Sequence, residues 1–172
     1  MVFLYYAFSL SIFKYIIPLF LVLTPYILKK RTDGEVTVRL SLNANDLLTG
    51  LIASLIIILP TLIYQVLTDC TFIRFPSIGT MLFHLFIISL PEEVYFRGFL
   101  QEGIGNNLKG IIIVSLLFSF IHLPKLFFDN DITSALTFFP SLIMGYLYMR
   151  SRNVLPSVIF HFSANMIALA SQ

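Results

Sequence analysis

Three charged side chains stand together inside an apolar stretch, and this cluster constrains the fold more than any other feature of the chain. Glu92, Glu93 and Arg97 lie within residues 91–98, with apolar runs on both sides. A charged side chain inside a lipid-embedded helix costs roughly 2.5–3.5 kcal/mol on insertion scales, so such residues usually face a polar cavity and mark a functional site. The cluster therefore predicts a polar cavity within the protein.

Helical spacing separates the roles of the three charges. Successive helix residues lie about 100° apart, so Glu92 and Glu93 are expected to point in different directions. Glu93 and Arg97 are at i and i+4 with the acid first, the favourable order for a helical ion pair. The spacing predicts that Arg97 neutralises Glu93 in a supporting ion pair and leaves Glu92 free. A purely structural balance of one arginine by two acids is the alternative.

The composition places this cluster in a membrane protein. Of the 172 residues 58% are hydrophobic and 12% are charged, too few charges to cover a soluble domain of this size. We therefore predict an all-α polytopic transmembrane helix bundle of about six helices, forming a single membrane domain over residues 1–172. The net charge of +2 gives no reason to expect a nucleic-acid partner. Cys70 is the single cysteine, so no internal disulfide forms.

The apolar runs, prolines and capping residues predict the helix boundaries. A kink or local unwinding is expected at Pro91, and the fourth helix is expected to stop at Pro124. The polar segment 29–45 contains an alternating pattern over 35–42 that favours a short extended or interfacial piece. The predicted helices run from about Phe3 to Leu28, from a cap at Asn45 or Asp46 to Leu67, from Ile78 to Glu102, from Gly110 to Leu123, from Ile132 to Met149, and from Leu155 to Leu169.

Lysine and arginine predict the orientation. One set of loops collects most of the basic residues, and the opposite set carries only Arg74 and Lys125. The positive-inside rule then places the N-terminus outside and the 29–45 segment in the cytoplasm. The basic set comprises Lys29, Lys30, Arg31, Arg39, Lys109, Arg150 and Arg152.

Two further polar islands interrupt later apolar helices. His122 stands alone in the fourth helix, and His161 shares a face of the sixth helix with Asn165. Either could be structural, as a buried histidine or as an interhelical polar clamp. Counted at about 1.5 Å per residue, however, Glu92, His122 and His161 all fall roughly 10 to 18 Å below the inner surface. Their common depth favours one shared site.

These residues carry a resemblance to a known family. Glu92-Glu93-x-x-x-Arg97, Phe118-x-x-x-His122 and His161-x-x-x-Asn165, in this order and each on an apolar helix, resemble the three motifs of the CAAX prenyl protease and bacteriocin-processing family, also called the Abi or type II CAAX prenyl endopeptidase family. The resemblance covers a protease-like core over residues 78–172. It implies an intramembrane endopeptidase that acts on a membrane-associated peptide or protein.

The resemblance also implies roles for the motif residues. Glu92 is the hypothesised general base, and His122 holds the attacking water. His161 and Asn165 line the site, with Asn165 donating to the developing oxyanion. His122 and His161 with a carboxylate would make a zinc set with an open water position, and a metal-free mechanism stays open beside it.

The substrate is not readable from the sequence. In eukaryotes family members cleave prenylated C-terminal tripeptides, and in bacteria they are linked to bacteriocin maturation and self-immunity. The short chain favours a member in a prokaryotic plasma membrane, with a site reached from the cytoplasmic side. Two other functions are weighed against the protease. One is a non-catalytic membrane immunity or scaffold protein of the same fold, and the other is a small transporter or proton relay.

Overall fold

The protein is a bundle of helices. The computed structural model describes residues 13–32, 38–68 and 75–170, which contain six helices and no strand. The predicted all-α transmembrane bundle is therefore confirmed. The helices are α1 (Phe13–Thr32), α2 (Ala44–Leu67), α3 (Ile78–Ile104), α4 (Leu108–Asp129), α5 (Phe138–Ser151) and α6 (Leu155–Ala170), with a 3-10 turn over Ile132–Thr137 before α5.

The surface of the bundle is apolar and its interior is partly polar. Leucine and isoleucine side chains of α2 are exposed, whereas Arg97, Glu93 and Gln101 of α3 are fully buried. Three helices contain apolar stretches long enough to cross a membrane, and α1 and α6 contain shorter ones. This arrangement suits a lipid surround, because lipid solvates the exposed apolar side chains while the protein interior holds the charges. The protein is an integral membrane protein.

Helix α3 is widened on both sides of Pro91. Segments of π-helix, His84–Ser89 and Val94–Gln101, flank a short α-helical stretch, Leu90–Glu93. Proline lacks an N–H and clashes with the carbonyl four residues earlier, and a π-turn relieves both problems without breaking the helix. The expected disturbance at Pro91 is present as this widening, and the helix is neither interrupted nor sharply ended there.

Other predicted boundaries are corrected. The cap of α2 is Asn43, whose side-chain oxygen accepts the backbone N–H of Asp46, so the cap lies before both predicted positions, Asn45 and Asp46. Helix α4 continues through Pro124 to Asp129, because neighbouring helices in a membrane bundle tolerate the freed carbonyl. Helix α5 begins at Phe138, after the 3-10 turn. The predicted beginning of the first helix at Phe3 lies outside the described residues.

We define residues 38–43 as the strap. The strap lies at one end of the bundle, together with the loops between α3 and α4 and between α5 and α6. We call it the basic end. The strap has no regular secondary structure and lies against the α5–α6 loop: the backbone N–H of Val154 donates to the carbonyl of Arg39 (3.0 Å). The side chain of Asn153 pairs with both backbone groups of Ser41, accepting at 3.0 Å and donating at 2.7 Å. Val38 lies directly over Gly98 of α3.

Helices α3 and α5 run in the same direction and are joined by two polar contacts one turn apart. Arg97 donates to the Ser141 hydroxyl (2.7 Å), and the Gln101 amide donates to the carbonyl of Gly145 (2.9 Å). Helix α6 packs between α5 and α2, where Gly50 permits close approach: a Cβ at this position would lie 2.9 Å from Ile159 Cβ. These contacts fix α5 against α3 and α6 against α2.

Candidate active site

The charged cluster of α3 is buried at the centre of the bundle. Glu92 is 2% exposed, and Glu93 and Arg97 are 0% exposed. Arg97 Nε donates to Glu93 Oε2 at 3.0 Å, which is the ion pair that the i, i+4 spacing predicts. The guanidinium also lies 5.6 Å from the centre of the Phe118 ring. Helix α3 therefore carries one compensated carboxylate and one carboxylate without an ion pair to Arg97.

Both carboxylates approach the imidazole of His161 on α6. His161 Nδ1 lies 3.0 Å from Glu93 Oε1, and His161 Nε2 lies 3.9 Å from Glu92 Oε2. Among the described residues, Glu92 Oε2 has no hydrogen-bond partner. The two adjacent glutamates therefore approach this ring from its two different nitrogens, and Arg97 pairs with Glu93, as the helical spacing predicts. Glu93 links Arg97 to His161 as well as pairing with the arginine.

His122 reaches this group through Phe118. Its Nδ1–H donates to the backbone carbonyl of Phe118 (2.8 Å), one turn earlier on α4, and the two rings stack at 4.6 Å between centroids. The Phe118 ring meets His161 edge to face at 5.6 Å. Phe118 thus lies between the two histidines. In each histidine Nδ1 makes a hydrogen bond, and Nε2 points away from that bond.

Asn165 lies at the edge of this group. Its amide donates to the Ser89 hydroxyl on α3 at 3.3 Å, a long contact for a hydrogen bond of this kind. Glu93 therefore bonds both Arg97 and His161, and Glu92 lies beside His161. His122 joins this group through Phe118, and Asn165 is bound to a neighbouring turn of α3.

The predicted zinc ligands are His122 and His161 with a carboxylate. Within residues 13–32, 38–68 and 75–170, no group of three or more histidine, cysteine, aspartate or glutamate side chains is arranged to hold a metal ion. His161 Nδ1 is taken by Glu93 and His122 Nδ1 by a backbone carbonyl. His122 and His161 as zinc ligands stay a prediction.

Some residues of this site were not predicted. Ser141 accepts a hydrogen bond from Arg97, and Ser89 accepts one from Asn165. Gln101 is fully buried one turn beyond Arg97. Gln101 continues the i, i+4 series from Glu93 and Arg97, so the helical period could have identified it. Ser141 is one of many small polar residues in the apolar helices, and only the packing of α5 against α3 distinguishes it.

The fold and this site define a class: an integral membrane helix bundle with a buried cluster of glutamate, histidine and arginine. The sequence also matches the profile of a family, described as type II CAAX prenyl endopeptidase Rce1-like, over residues 74–167. That is more than half of the 172 residues, and all three motifs lie inside it. The chain belongs to this family of CAAX-type membrane endopeptidases, and the resemblance noted in the sequence is confirmed. No curated protein and no solved structure shows a significant match.

Proposed function

We propose that the protein is an intramembrane endopeptidase that hydrolyses a peptide bond with a water molecule activated by Glu92. The proposal rests on the surroundings of this carboxylate. Glu92 is 2% exposed, and its Oε2 lies 3.9 Å from His161 Nε2. This oxygen has no protein partner among the described residues. A buried acceptor without a partner is costly, and a general base needs an acceptor that is free for the proton it removes.

The geometry supports a place for the water. Glu92 Oε2 and His161 Nε2 are too far apart to bond directly, and a water beside them can lie within hydrogen-bond distance of both. With His161 neutral and its Nδ1–H donated to Glu93, its Nε2 is an acceptor. The water then directs one proton to Glu92 and the other to a histidine nitrogen, and its oxygen faces the peptide carbonyl carbon. Glu92 takes the proton and returns it to the leaving amine.

The remaining motif residues have supporting roles in this reaction. The Arg97–Glu93 pair orients His161, as a carboxylate orients the imidazole in other hydrolases. His122 offers a second free Nε2 for the same water, since its Nδ1 is bound to Phe118. Asn165 supplies an amide N–H to the oxyanion. Its amide nitrogen carries two N–H groups, so one can donate to the oxyanion while the other keeps the 3.3 Å contact with the Ser89 hydroxyl.

The substrate is a membrane-associated peptide or protein, because the reacting groups lie inside apolar helices. The family description points to the C-terminal part of prenylated proteins. Peptide processing in bacteriocin maturation or self-immunity is the corresponding proposal for a prokaryotic plasma membrane. With the N-terminus outside, the basic end faces the cytoplasm and the substrate enters from that side.

The test compares wild type, Glu92→Gln and Glu102→Gln, each purified in detergent, on a quenched peptide library that includes farnesylated C-terminal peptides. Glu102 is the matched control because it lies on the same helix and pairs with the exposed Arg152 at the basic end. Glu92→Gln keeps the shape of the side chain and removes the base, so cleavage should fall at least about 100-fold. Glu102→Gln should cleave like wild type.

The outcomes separate the candidate functions. Equal cleavage by wild type and Glu92→Gln would exclude Glu92 as the base. Folded wild type that cleaves no member of the library would favour the non-catalytic immunity or scaffold protein, and uptake of a solute by reconstituted vesicles would favour the transporter. Zinc measured on the same samples tests the metal prediction independently of cleavage.

A further inference from the structure

We propose that a buried polar column between α3, α4 and α5 conducts the hydrolytic water from the basic end of the bundle to Glu92. The inference rests on the proposed function, since a hydrolase inside a bilayer consumes one water per turnover where the lipid supplies none. We define the column by six residues: Asn106, Gln101, Ser115, Arg97, Ser141 and Glu93.

The first wall of the column is one face of α3. Glu93, Arg97 and Gln101 follow each other at intervals of four residues, and all three are 0% exposed. A fully buried charge–charge–amide series on one helix face is unusual in a membrane bundle, and it leads from Glu93, which contacts His161, toward the basic end.

The second wall is α5, which runs alongside. Ser141 accepts from Arg97 at 2.7 Å, and one turn further the carbonyl of Gly145 accepts from Gln101 at 2.9 Å. Glycine is needed here, since a Cβ would lie 2.8 Å from Ile111 and 3.2 Å from the Gln101 side-chain oxygen. The two helices therefore keep a polar seam between them over a full turn.

The third wall is α4, and it places Ser115 between these two levels. Ile111 lies at the level of Gly145, and Phe118 lies at the level of Arg97. Ser115 falls between them on α4, and it is 0% exposed. Its hydroxyl therefore lies between the Gln101 level and the Arg97 level of the column.

Four residues of the column each have a buried polar atom without a partner in the described part of the chain. Among the described residues, Asn106 Nδ2, Gln101 Oε1, Ser115 Oγ and Arg97 Nη1 are buried and make no hydrogen bond. Such groups are rare in folded proteins, and buried water that makes about three hydrogen bonds is their usual partner. Donors and acceptors are both present, which suits water better than an anion or a cation.

The mouth of the column is the α3–α4 loop. The side chain of Asn107 accepts the backbone N–H of Gly110 at the beginning of α4 (3.1 Å). Asn106 instead turns inward, and its side-chain oxygen accepts the Gln101 amide N–H at 2.8 Å. Asn106 is half-buried, so it has contact with the surroundings of the basic end. The column thus connects this loop to Glu93, which in turn contacts His161 beside Glu92.

The experiment compares Ser115→Val with Ser115→Thr. The two variants have nearly the same shape, and only threonine keeps the hydroxyl. Ser115→Val should fold like wild type, since the hydroxyl it removes has no protein partner, but its kcat should fall about tenfold with KM unchanged because water delivery is interrupted. Ser115→Thr should keep most of the wild-type kcat. A normal kcat in folded Ser115→Val would overturn the proposal.

A second measurement reports the water directly and does not depend on cleavage. In protein labelled with ¹⁵N-arginine, the Arg97 side-chain N–H signals, assigned by their loss in Arg97→Lys, should exchange with water in wild type and lose that exchange in Ser115→Val. Absence of exchange in wild type would overturn the column. Exchange that depends on Ser115 in a protein without peptidase activity would keep the column and overturn the proposed function instead.

Discussion

Arg97 brings a full positive charge into the interior of a bundle whose outside is lipid-like. It is completely buried, and its guanidinium is held by Glu93, by the Ser141 hydroxyl and by the face of the Phe118 ring. A buried charge requires such compensation, because the desolvation of each ion costs several kcal/mol. Each charge therefore needs the other, because Glu93 or Arg97 alone would be a buried charge without compensation.

This requirement makes a prediction at the scale of single residues. Arg97→Met leaves Glu93 without its cation and should destabilise the protein by about 3–5 kcal/mol. The double variant Arg97→Met with Glu93→Leu replaces the ion pair by apolar side chains and should recover most of that loss. Thermal unfolding in detergent, followed by size-exclusion of a fluorescent fusion, measures both. If single and double variants unfolded at the same temperature, the pair would not be the source of the stability.

The double variant should nevertheless remain inactive. Glu93 also receives the Nδ1–H of His161, so its loss frees the imidazole to rotate even where stability returns. The double variant would then be stable but inactive. This result would distinguish a carboxylate that orients His161 from one that only balances charge.

Among the elements of the fold, the strap connects the first part of the chain to α3. Val38 lies over Gly98, the residue after Arg97, and packs with Val94 and Tyr148. A Cβ on Gly98 would lie 2.6 Å from Val38 Cγ1, which is closer than real contacts allow. The absence of a side chain at Gly98 is thus what lets the strap dock on α3.

Gly98→Ala should therefore loosen the strap, and Val38→Ala in the same chain should restore it by removing the clashing methyl groups. Limited proteolysis of the strap segment is the measurement: cleavage should be faster in Gly98→Ala than in wild type and should return toward the wild-type rate in the double variant. Because the residues touch, their effects should be non-additive. Additive effects, or no increase in cleavage, would contradict the docking contact.

The same elements show which parts of the fold and of the site the sequence alone could predict. The apolar runs identified all six helices, and i, i+4 spacing identified the Glu93–Arg97 pair, because both depend on local periodicity. The π-helical turns around Pro91, the passage of α4 through Pro124, and the contact of Glu93 with His161 were not predictable. Each depends on how α3, α4 and α6 pack, and no local pattern encodes that packing.

At the scale of the whole molecule, the basic end combines several functions of the fold. The strap, the mouth of the polar column and the exposed pair between Arg152 and Glu102 all lie there. Asn153 connects this end by bonding both Ser41 and Asp46 while fully buried. Water and substrate would reach the site from this side, so the orientation of the bundle determines the compartment in which the enzyme acts.

The orientation itself is testable with single cysteines. In a Cys70→Ser background, Ser77→Cys at the beginning of α3 and Asn45→Cys in the first turn of α2 each place an exposed thiol next to a helix N-terminus, at opposite ends of the bundle. With the N-terminus outside, a membrane-impermeant maleimide added to intact cells should label Ser77→Cys, and Asn45→Cys should react only after permeabilisation. The reverse pattern would place the basic end outside the cell, against the positive-inside rule, and would move both the water entry and the substrate to the extracellular side.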